Sequence, residues 1–236
     1  MLKIRFWPAL VVLIAVVLAI RLGFWQRDRA HQKEALAAQI TRHQHSAPIS
    51  VGSSLLPLKE IEYHRLRARG RFMPEHVVYL DNRPYNDQPG FHVLMPLALE
   101  EGGYVLVKRG WIPRNIKDRI AFAPYCTPAS IVDIEGIARA DAGRAFELGS
   151  GGSAARLRIR QNLEIAAYQA ETGLPLQPFI LWQTNHLNDQ LVRVWPSPLT
   201  GVARNYGYMV QWWGIAVAIV LSGLYAARRA ALSASK

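Results

Sequence analysis

The sequence has only one cysteine, Cys126, among its 236 residues. A single thiol excludes an intrachain disulfide, a CxxC redox pair and a cysteine zinc site, so the fold depends on packing. Helix-turn-helix and zinc-finger spacings are also missing, and the basic residues form no clustered tract. Nucleic acid is therefore the least favoured partner.

Motifs for enzyme chemistry are missing too. The chain has no P-loop, no HExxH, no GxSxG and no glycine-rich turn of the dinucleotide-binding type. The glycine-rich stretch at 149–153 does not follow a strand pattern, and we interpret it as a surface loop. His43 and His45 form an HxH pair without a third ligand, and we interpret them as solvated histidines. We therefore expect no catalytic residue, no metal site and no enzyme activity.

Acidic residues are scarce, with 17 Asp and Glu against 28 Lys and Arg and a formal net charge of +11. This excess favours contact with an anionic partner, and anionic lipid and haem propionates both qualify. Arginines alternate with apolar residues at 65–71 and recur at 156–160. We interpret both sets as the solvent-facing sides of strands. The alternative is a binding surface for propionates, anionic lipid or an acidic partner.

Two long apolar runs lie near the two ends of the chain. The first is predicted as a transmembrane helix at 6–25, and a helix of that length rises about 30 Å, the thickness of a bilayer core. Lys3 and Arg5 precede it, as in a cleaved signal peptide, but no small-x-small cleavage site follows. We favour an uncleaved anchor. The second transmembrane helix is predicted at 208–227.

Aromatic residues occur where the interface belts of a membrane protein are expected. One belt contains Trp7 and Tyr225, and the other contains Trp25, Tyr206, Tyr208, Trp212 and Trp213. The two spans are thus predicted to form an antiparallel pair, with both termini on one side of the membrane and residues 26–207 on the other. Basic residues flank both sides about equally, so charge does not decide the orientation.

The residues between the spans are predicted to form an α+β domain that is mostly antiparallel sheet. Alternation with a period of two at 64–72 is typical of a half-buried strand. Short turns separate it from further predicted strands, which predicts an antiparallel meander that could curl towards a barrel. These further strands are expected at 77–82, 91–97, 104–111 and 131–138.

Two helical segments are also expected in this domain. The stretch at 162–172 predicts a soluble helix, with Asn162 as its cap and Gly173 at its end. Residues 26–42 are predicted to continue the first transmembrane helix. The whole chain is then an α+β membrane protein with one helix on each side of its β-rich domain.

Polar residues cluster just outside both spans. The set contains Gln26, Arg29 and His31 after the first span, and Arg204, Asn205, Tyr208 and Gln211 at the start of the second. Polar groups at this depth are costly unless they are paired or used. Two interpretations stay open: the two helices pair with each other through these groups, or the groups form a ligand site.

Several blocks in the sequence match a known family. Leu22, Gly23, Trp25, Gln26 and Arg29 fit an L-G-x-W-Q-x-x-R pattern at the end of the first span. The centre of the chain has Asn82 with Arg83, then Gly90, Pro96 with Leu97, and the VLVKRGWIP block at 105–113. Tyr208, Gln211 and Trp212 open the second span. In this order the blocks resemble the Surf-one family (Shy-one type).

That resemblance implies a factor that assists maturation of subunit I of cytochrome c oxidase, by handling haem a or by holding the subunit while haem is inserted. Subunit I, and possibly a haem a synthase, are the implied partners besides the lipid bilayer. It also implies a domain outside the cytoplasmic membrane, and the lack of a basic, serine-rich stretch ahead of Phe6 favours a bacterial inner membrane with cytoplasmic termini. The alternative is a periplasmic scaffold without a cofactor.

Asn205 departs from the family pattern. Many members carry a histidine seven residues before the tryptophan equivalent to Trp212, and the resemblance implies that this histidine binds haem. An asparagine amide is a poor ligand for haem iron. Our hypothesis for bound haem a is that His31 replaces the missing ligand while Arg29 and Arg204 face the propionates. The alternative is that His31 is simply solvated.

We interpret the block of Arg109, Gly110 and Trp111 as a structural element and not as a catalytic site. It is predicted to form a corner at the end of a hairpin strand, with Trp111 buried.

Overall fold

The computed structural model describes residues 6–115, 122–143, 158–195 and 199–233. The chain divides into two compact units. A helical unit contains Met1–Gln39 and Pro196–Lys236, and a β-rich unit contains Ile40–Trp195. The loop predicted at 149–153 lies outside the described residues.

Two long helices form the helical unit. Helix α1 covers Phe6–Gln44, and its last turns belong to the β-rich unit. Helix α4 covers Val202–Ser233. Both are long and apolar enough to cross a membrane, and they contain the segments predicted at 6–25 and 208–227. The predicted helical continuation over 26–42 is confirmed.

The two helices pack antiparallel, as predicted. A Cβ atom at Gly23 would lie 2.2 Å from Trp213 Nε1, and one at Gly223 would lie 3.4 Å from Val12. Residues later in α1 therefore contact residues earlier in α4, which is the pattern of an antiparallel helix pair. Glycine at 23 is required here because any side chain would overlap the Trp213 ring.

The β-rich unit contains eight strands and two short helices among the described residues. Along the chain these are β1 (Ile49–Val51), α2 (Leu58–Ile61), β2 (Arg65–Phe72), a 3₁₀ turn (Pro74–His76), β3 (Val78–Leu80), β4 (Gly90–Leu99), β5 (Tyr104–Pro113), β6 (Val132–Arg139), β7 (Ile159–Arg160), α3 (Ile165–Thr172) and β8 (Leu176–Gln183).

The strands form one sheet in the order β1-β2-β6-β8-β5-β4-β3-β7, and an additional pairing between β2 and β4 closes its centre. The closed part is a barrel of β2, β6, β8, β5 and β4. Its pairings are mixed. Strands β2–β6, β2–β4, β3–β4, β4–β5 and β6–β8 are antiparallel, whereas β1–β2, β3–β7 and β5–β8 are parallel.

The predicted strands at 64–72, 77–82, 91–97, 104–111 and 131–138 are all present as β2 to β6. The predicted meander is limited to β3, β4 and β5, however, because β2 pairs with β4 and β6 and not with β3, and β8 lies between β5 and β6. Strand β8 was not predicted. It is buried on both faces except at Pro178, so its sequence shows no alternation, and an internal proline argues against a central strand.

The predicted helix at 162–172 is also present, but its start differs. Helix α3 begins at Ile165, and its cap position is Glu164, which makes no side-chain capping bond. Asn162 as the cap was therefore wrong. The helix ends at Gly173, as predicted.

Two apolar clusters hold the β-rich unit together. The barrel interior contains Leu66, Ala68, Phe72, Val93, Leu97, Val105, Ile134 and Phe179. A second cluster, which includes Tyr168 of α3, contains Val78, Leu80, Leu94, Leu106, Ile180 and Trp182. Strand β2 alternates between exposed arginines and buried apolar residues, which confirms the period-two prediction.

Candidate functional site

The polar residues at the end of the first apolar run meet the start of α4. Asn205 Nδ2 donates a hydrogen bond to Gln26 Oε1 at 2.8 Å. Lys33 Nζ donates to Asn205 Oδ1 at 2.9 Å and to the carbonyl of Thr200 at 3.3 Å. The amide of Asn205 is therefore bonded through both its nitrogen and its oxygen, and it ties the two helices together.

A second polar group lies on the same pair of helices. Tyr206 donates from its hydroxyl to both carboxylate oxygens of Glu34, each at 3.1 Å. His31 Nδ1 lies 3.5 Å from Glu34 Oε2, and the rings of His31 and Tyr206 meet edge to face at 6.2 Å. The structure thus places His31 beside a carboxylate that also holds Tyr206.

The remaining predicted site residues are more exposed. Arg29 stacks on Trp25 of its own helix, with 5.9 Å between Cζ and the ring centre. Arg204 lies near Gly201, because a Cβ there would be 3.4 Å from the Arg204 guanidinium. Tyr208 and Gln211 are exposed. The structure therefore brings Gln26 and Asn205 together but not all of the predicted set.

In the β-rich unit, Arg109 of the R-G-W block is fully buried. Its Nη2 donates to Asp189 Oδ2 at 2.9 Å and to the carbonyl of Cys126 at 3.0 Å, and its Nη1 donates to Thr127 Oγ1 at 2.6 Å. Asp189 also accepts a hydrogen bond from Arg193. The side chains of all three ionised partners are at most 1% exposed.

Electrostatics at this buried cluster follow from its two cations around one anion. Burial lowers the pKa of Arg109, although the charge of Asp189 opposes that shift. Burial alone would raise the pKa of Asp189, but the hydrogen bonds and charges of Arg193 and Arg109 outweigh it and lower that pKa. Asp189 is thus held as a carboxylate that neutralises part of the local charge.

Trp111 lies inside β5 near the end of that strand, and it is buried as the sequence predicts. It is 6% exposed, and its Nε1 donates to the carbonyl of Arg83 at 2.6 Å. Its backbone also exchanges hydrogen bonds with Val192 at 2.7 and 3.0 Å. A Cβ at Gly90 would lie 2.3 Å from the indole, so the close approach of the two strands requires glycine there.

Arg83 of the N-R motif holds backbone instead of an anion. Its guanidinium donates to the carbonyls of Asp81 at 2.9 Å, Gly143 at 2.8 Å and Gln161 at 2.7 Å. The preceding Asn82 has a φ of 58°, a left-handed conformation that asparagine tolerates better than most residues. The motif therefore turns the chain after β3 and joins it to two distant segments.

Lys108, next to Arg109, lies inside an aromatic cage. Its Nζ is 3.5 Å from the Trp182 ring centre and 4.4 Å from that of Trp195, and it donates to the carbonyl of Ala142 at 2.9 Å. Burial, together with the charges of Arg83 and Arg139, lowers the pKa of Lys108 to about 6. Burial therefore disfavours the charged form of this amine.

Comparison with known proteins assigns the chain to a family. A profile of the SURF1 family matches residues 13–217. The chain belongs to the SURF1 family. The match begins inside α1, runs through the barrel and ends inside α4, so both polar groups and the R-G-W block lie within the SURF1 region.

SURF1-like proteins are also found among individual relatives. One from Rickettsia bellii is 27% identical over 127 residues, which cover 53% of this chain and 52% of that protein. One from Rickettsia felis is 32% identical over 114 residues, covering 46% and 47%. Human Surfeit locus protein 1 is 28% identical over 121 residues, covering 44% and 40%. The chain thus spans about half the length of the curated relatives it matches.

The sequence analysis missed several residues that complete the polar groups between the helices and the buried cluster around Arg109. Lys33 follows Gln26 by one heptad and Glu34 follows His31 by three positions, so helical spacing alone could have placed each pair on one face. Asp189 gave no such signal, because it lies 80 positions after Arg109 and in a loop.

Proposed function

We propose that this chain is a membrane-anchored assembly factor for a haem-copper cytochrome c oxidase, and that it assists maturation of subunit I by binding and not by catalysis. The SURF1-family match carries the proposal, since it joins both apolar helices and the barrel in one family region. We infer the oxidase as the partner from the sequence resemblance, which implies it.

The helical unit supports binding to another membrane protein. Between α1 and α4 lies a groove of about 390 Å³ whose lining is apolar and includes Val16, Ile20, Phe24, Trp213 and Ala216. A surface of this kind fits another apolar helix better than a polar ligand. Subunit I is the proposed owner of that helix, and a haem a synthase is the second proposed partner.

The proposed cofactor is haem a, which His31 would hold. Histidines that bind metals usually present their second ring nitrogen to a carboxylate, and Glu34 lies on the Nδ1 side of His31. Nε2 of His31 would then be the nitrogen that holds the iron of the haem. Arg29 and Arg204 are the proposed partners of the propionates.

Asn205 favours the alternative, a scaffold without a cofactor. Its amide is occupied by Gln26 and Lys33, so it supports contact between the helices instead of ligand binding. The absorption spectrum of the purified protein distinguishes haem binding from a scaffold without a cofactor. The full chain, co-expressed with haem a synthesis, should show bound haem that weakens in His31→Ala and persists in His45→Ala, whose ring is engaged with Thr41. Haem-free protein in every sample would support the scaffold.

The proposed location is a bacterial inner membrane with a periplasmic barrel. A reporter that is active only in the periplasm should work when fused after Gly151 and fail when fused after Lys236. The opposite pattern would reverse the proposed orientation.

A deletion strain tests the central proposal. Membranes lacking this protein should lose cytochrome c oxidase activity and the absorption of haem a, and the wild-type gene should restore both. Ile131→Ala, which changes an exposed side chain of the β-rich unit outside the arginine face of β2, is the control and should restore them equally. Undiminished oxidase in the deletion strain would overturn the proposal.

A further inference from the structure

One face of α1 points away from α4 and changes from apolar to basic along its length. Ile14, Leu18, Arg21, Trp25 and Arg29 follow one another at intervals of three or four residues, so they share this face. All five are exposed. The opposite side of the helix carries Gly23, which contacts Trp213 of α4. This face is therefore exposed to whatever surrounds the helix pair.

The basic residues of this region differ in their partners. Arg27 contacts Asp28 at 3.4 Å, and Lys33 is bonded to Asn205. Within the described part of the chain, neither Arg21 nor Arg29 contacts a carboxylate. These two cations are thus available to an anion from outside the chain.

The position of Arg21 in an α1 that crosses the membrane favours such an anion. It interrupts the apolar run one turn before Trp25, at the edge of the hydrocarbon region. An arginine at that depth is costly unless it finds a counter-charge. Arg29 leans back towards the helix start and lies over Trp25, so its guanidinium reaches the level at which an interfacial tryptophan meets lipid headgroups.

We propose that this outward face of α1 binds an anionic phospholipid. Arg21 and Arg29 hold its phosphate group on either side of Trp25, and its acyl chain lies along Leu18 and Ile14. The proposal rests on the membrane anchoring of the proposed function. A phospholipid matches this face because its anionic headgroup would lie beside the arginines and its apolar tail beside Leu18 and Ile14. A guanidinium can also bind phosphate oxygens through two hydrogen bonds.

The experiment uses the full chain in nanodiscs. Discs of phosphatidylcholine alone are compared with discs that also contain phosphatidylglycerol, and native mass spectrometry counts the lipids that stay bound. The wild type should retain phosphatidylglycerol in preference to phosphatidylcholine. Arg21→Gln and Arg29→Gln should each lower that preference about fivefold. Arg228→Gln is the matched control, because Arg228 is an exposed arginine near the other end of the helix pair, and it should change little.

Three results would overturn the proposal in distinguishable ways. Equal retention of both lipids by protein inserted in discs would remove the lipid site while leaving the anchor intact. A chain that stays out of the membrane fraction would remove the anchor as well. Finally, a loss of oxidase co-purification in Arg21→Gln without any lipid preference would assign Arg21 to an acidic residue of a protein partner.

Discussion

Asn205 on α4 donates a hydrogen bond to Gln26 on α1 across 2.8 Å. The same side chain accepts a hydrogen bond from Lys33 at 2.9 Å. In this chain the position therefore connects two helices, and its role can be measured as stability.

Removing this connection should loosen the helix pair. Asn205→Ala removes the hydrogen-bond partner of Gln26 and one of the two partners of Lys33, and it should cost about 1–3 kcal/mol of unfolding free energy. Thermal unfolding of the full chain in detergent measures the loss. Gln211→Ala, an exposed position on the same helix, is the control. Equal losses in both variants would show that the hydrogen bonds of Asn205 contribute nothing.

Trp111 should be needed for folding and not for direct activity. Its indole is buried and bonded to Arg83, and truncation of a buried tryptophan costs about 3–5 kcal/mol. Trp111→Ala should therefore lower the amount of folded protein in membranes. Ile131→Ala, at an exposed apolar residue of the same unit, should leave it unchanged. An abundant, stable but inactive Trp111→Ala protein would instead indicate a functional role.

The buried carboxylate of Asp189 should matter more than any surface carboxylate of the sheet. Asp189→Asn leaves Arg109 and Arg193 buried without a counter-charge, and such a change costs about 3–5 kcal/mol. Asp133→Asn breaks the exposed pair with Arg67, which should cost less than about 1 kcal/mol. Denaturant unfolding of both variants checks the difference. Similar midpoints would contradict the assigned strength of the buried cluster.

Lys108 should make stability depend on pH. Its pKa falls from the ordinary value of 10.5 to about 6 in the folded chain, mainly through burial. Between these values the unfolded chain binds a proton that the folded chain has released, so stability should rise with pH from about 6 to 10.5. The rise should be on the order of a few kcal/mol.

Lys108→Met removes the ionisable group while filling similar space. Its unfolding temperature, followed from pH 6 to pH 10 beside that of the wild type, should vary less and be higher at the acidic end. A variant with the wild-type pH profile would show that another group causes the dependence.

Much of the architecture follows from local patterns in the sequence. The apolar runs predict α1 and α4 because their lengths match a bilayer, and the arginine alternation predicts β2 because side chains of a strand point to opposite faces. Strands β3 to β6 could also be predicted from the sequence, since turn residues separate them. Burial of Trp111 was expected from its place at the end of a strand.

Tertiary structure decided the rest, because the decisive contacts join residues far apart in the chain. Strand β8 closes the barrel between β5 and β6, although its own sequence shows neither alternation nor a turn. Arg109 could be recognised as part of a motif, but only Asp189, 80 positions later, explains how its charge is buried. In the same way Asn205 was visible as a departure from a pattern. Its bonds to Gln26 and Lys33 depend on two helices that meet only in the folded chain, where a partly buried amide needs hydrogen-bond partners.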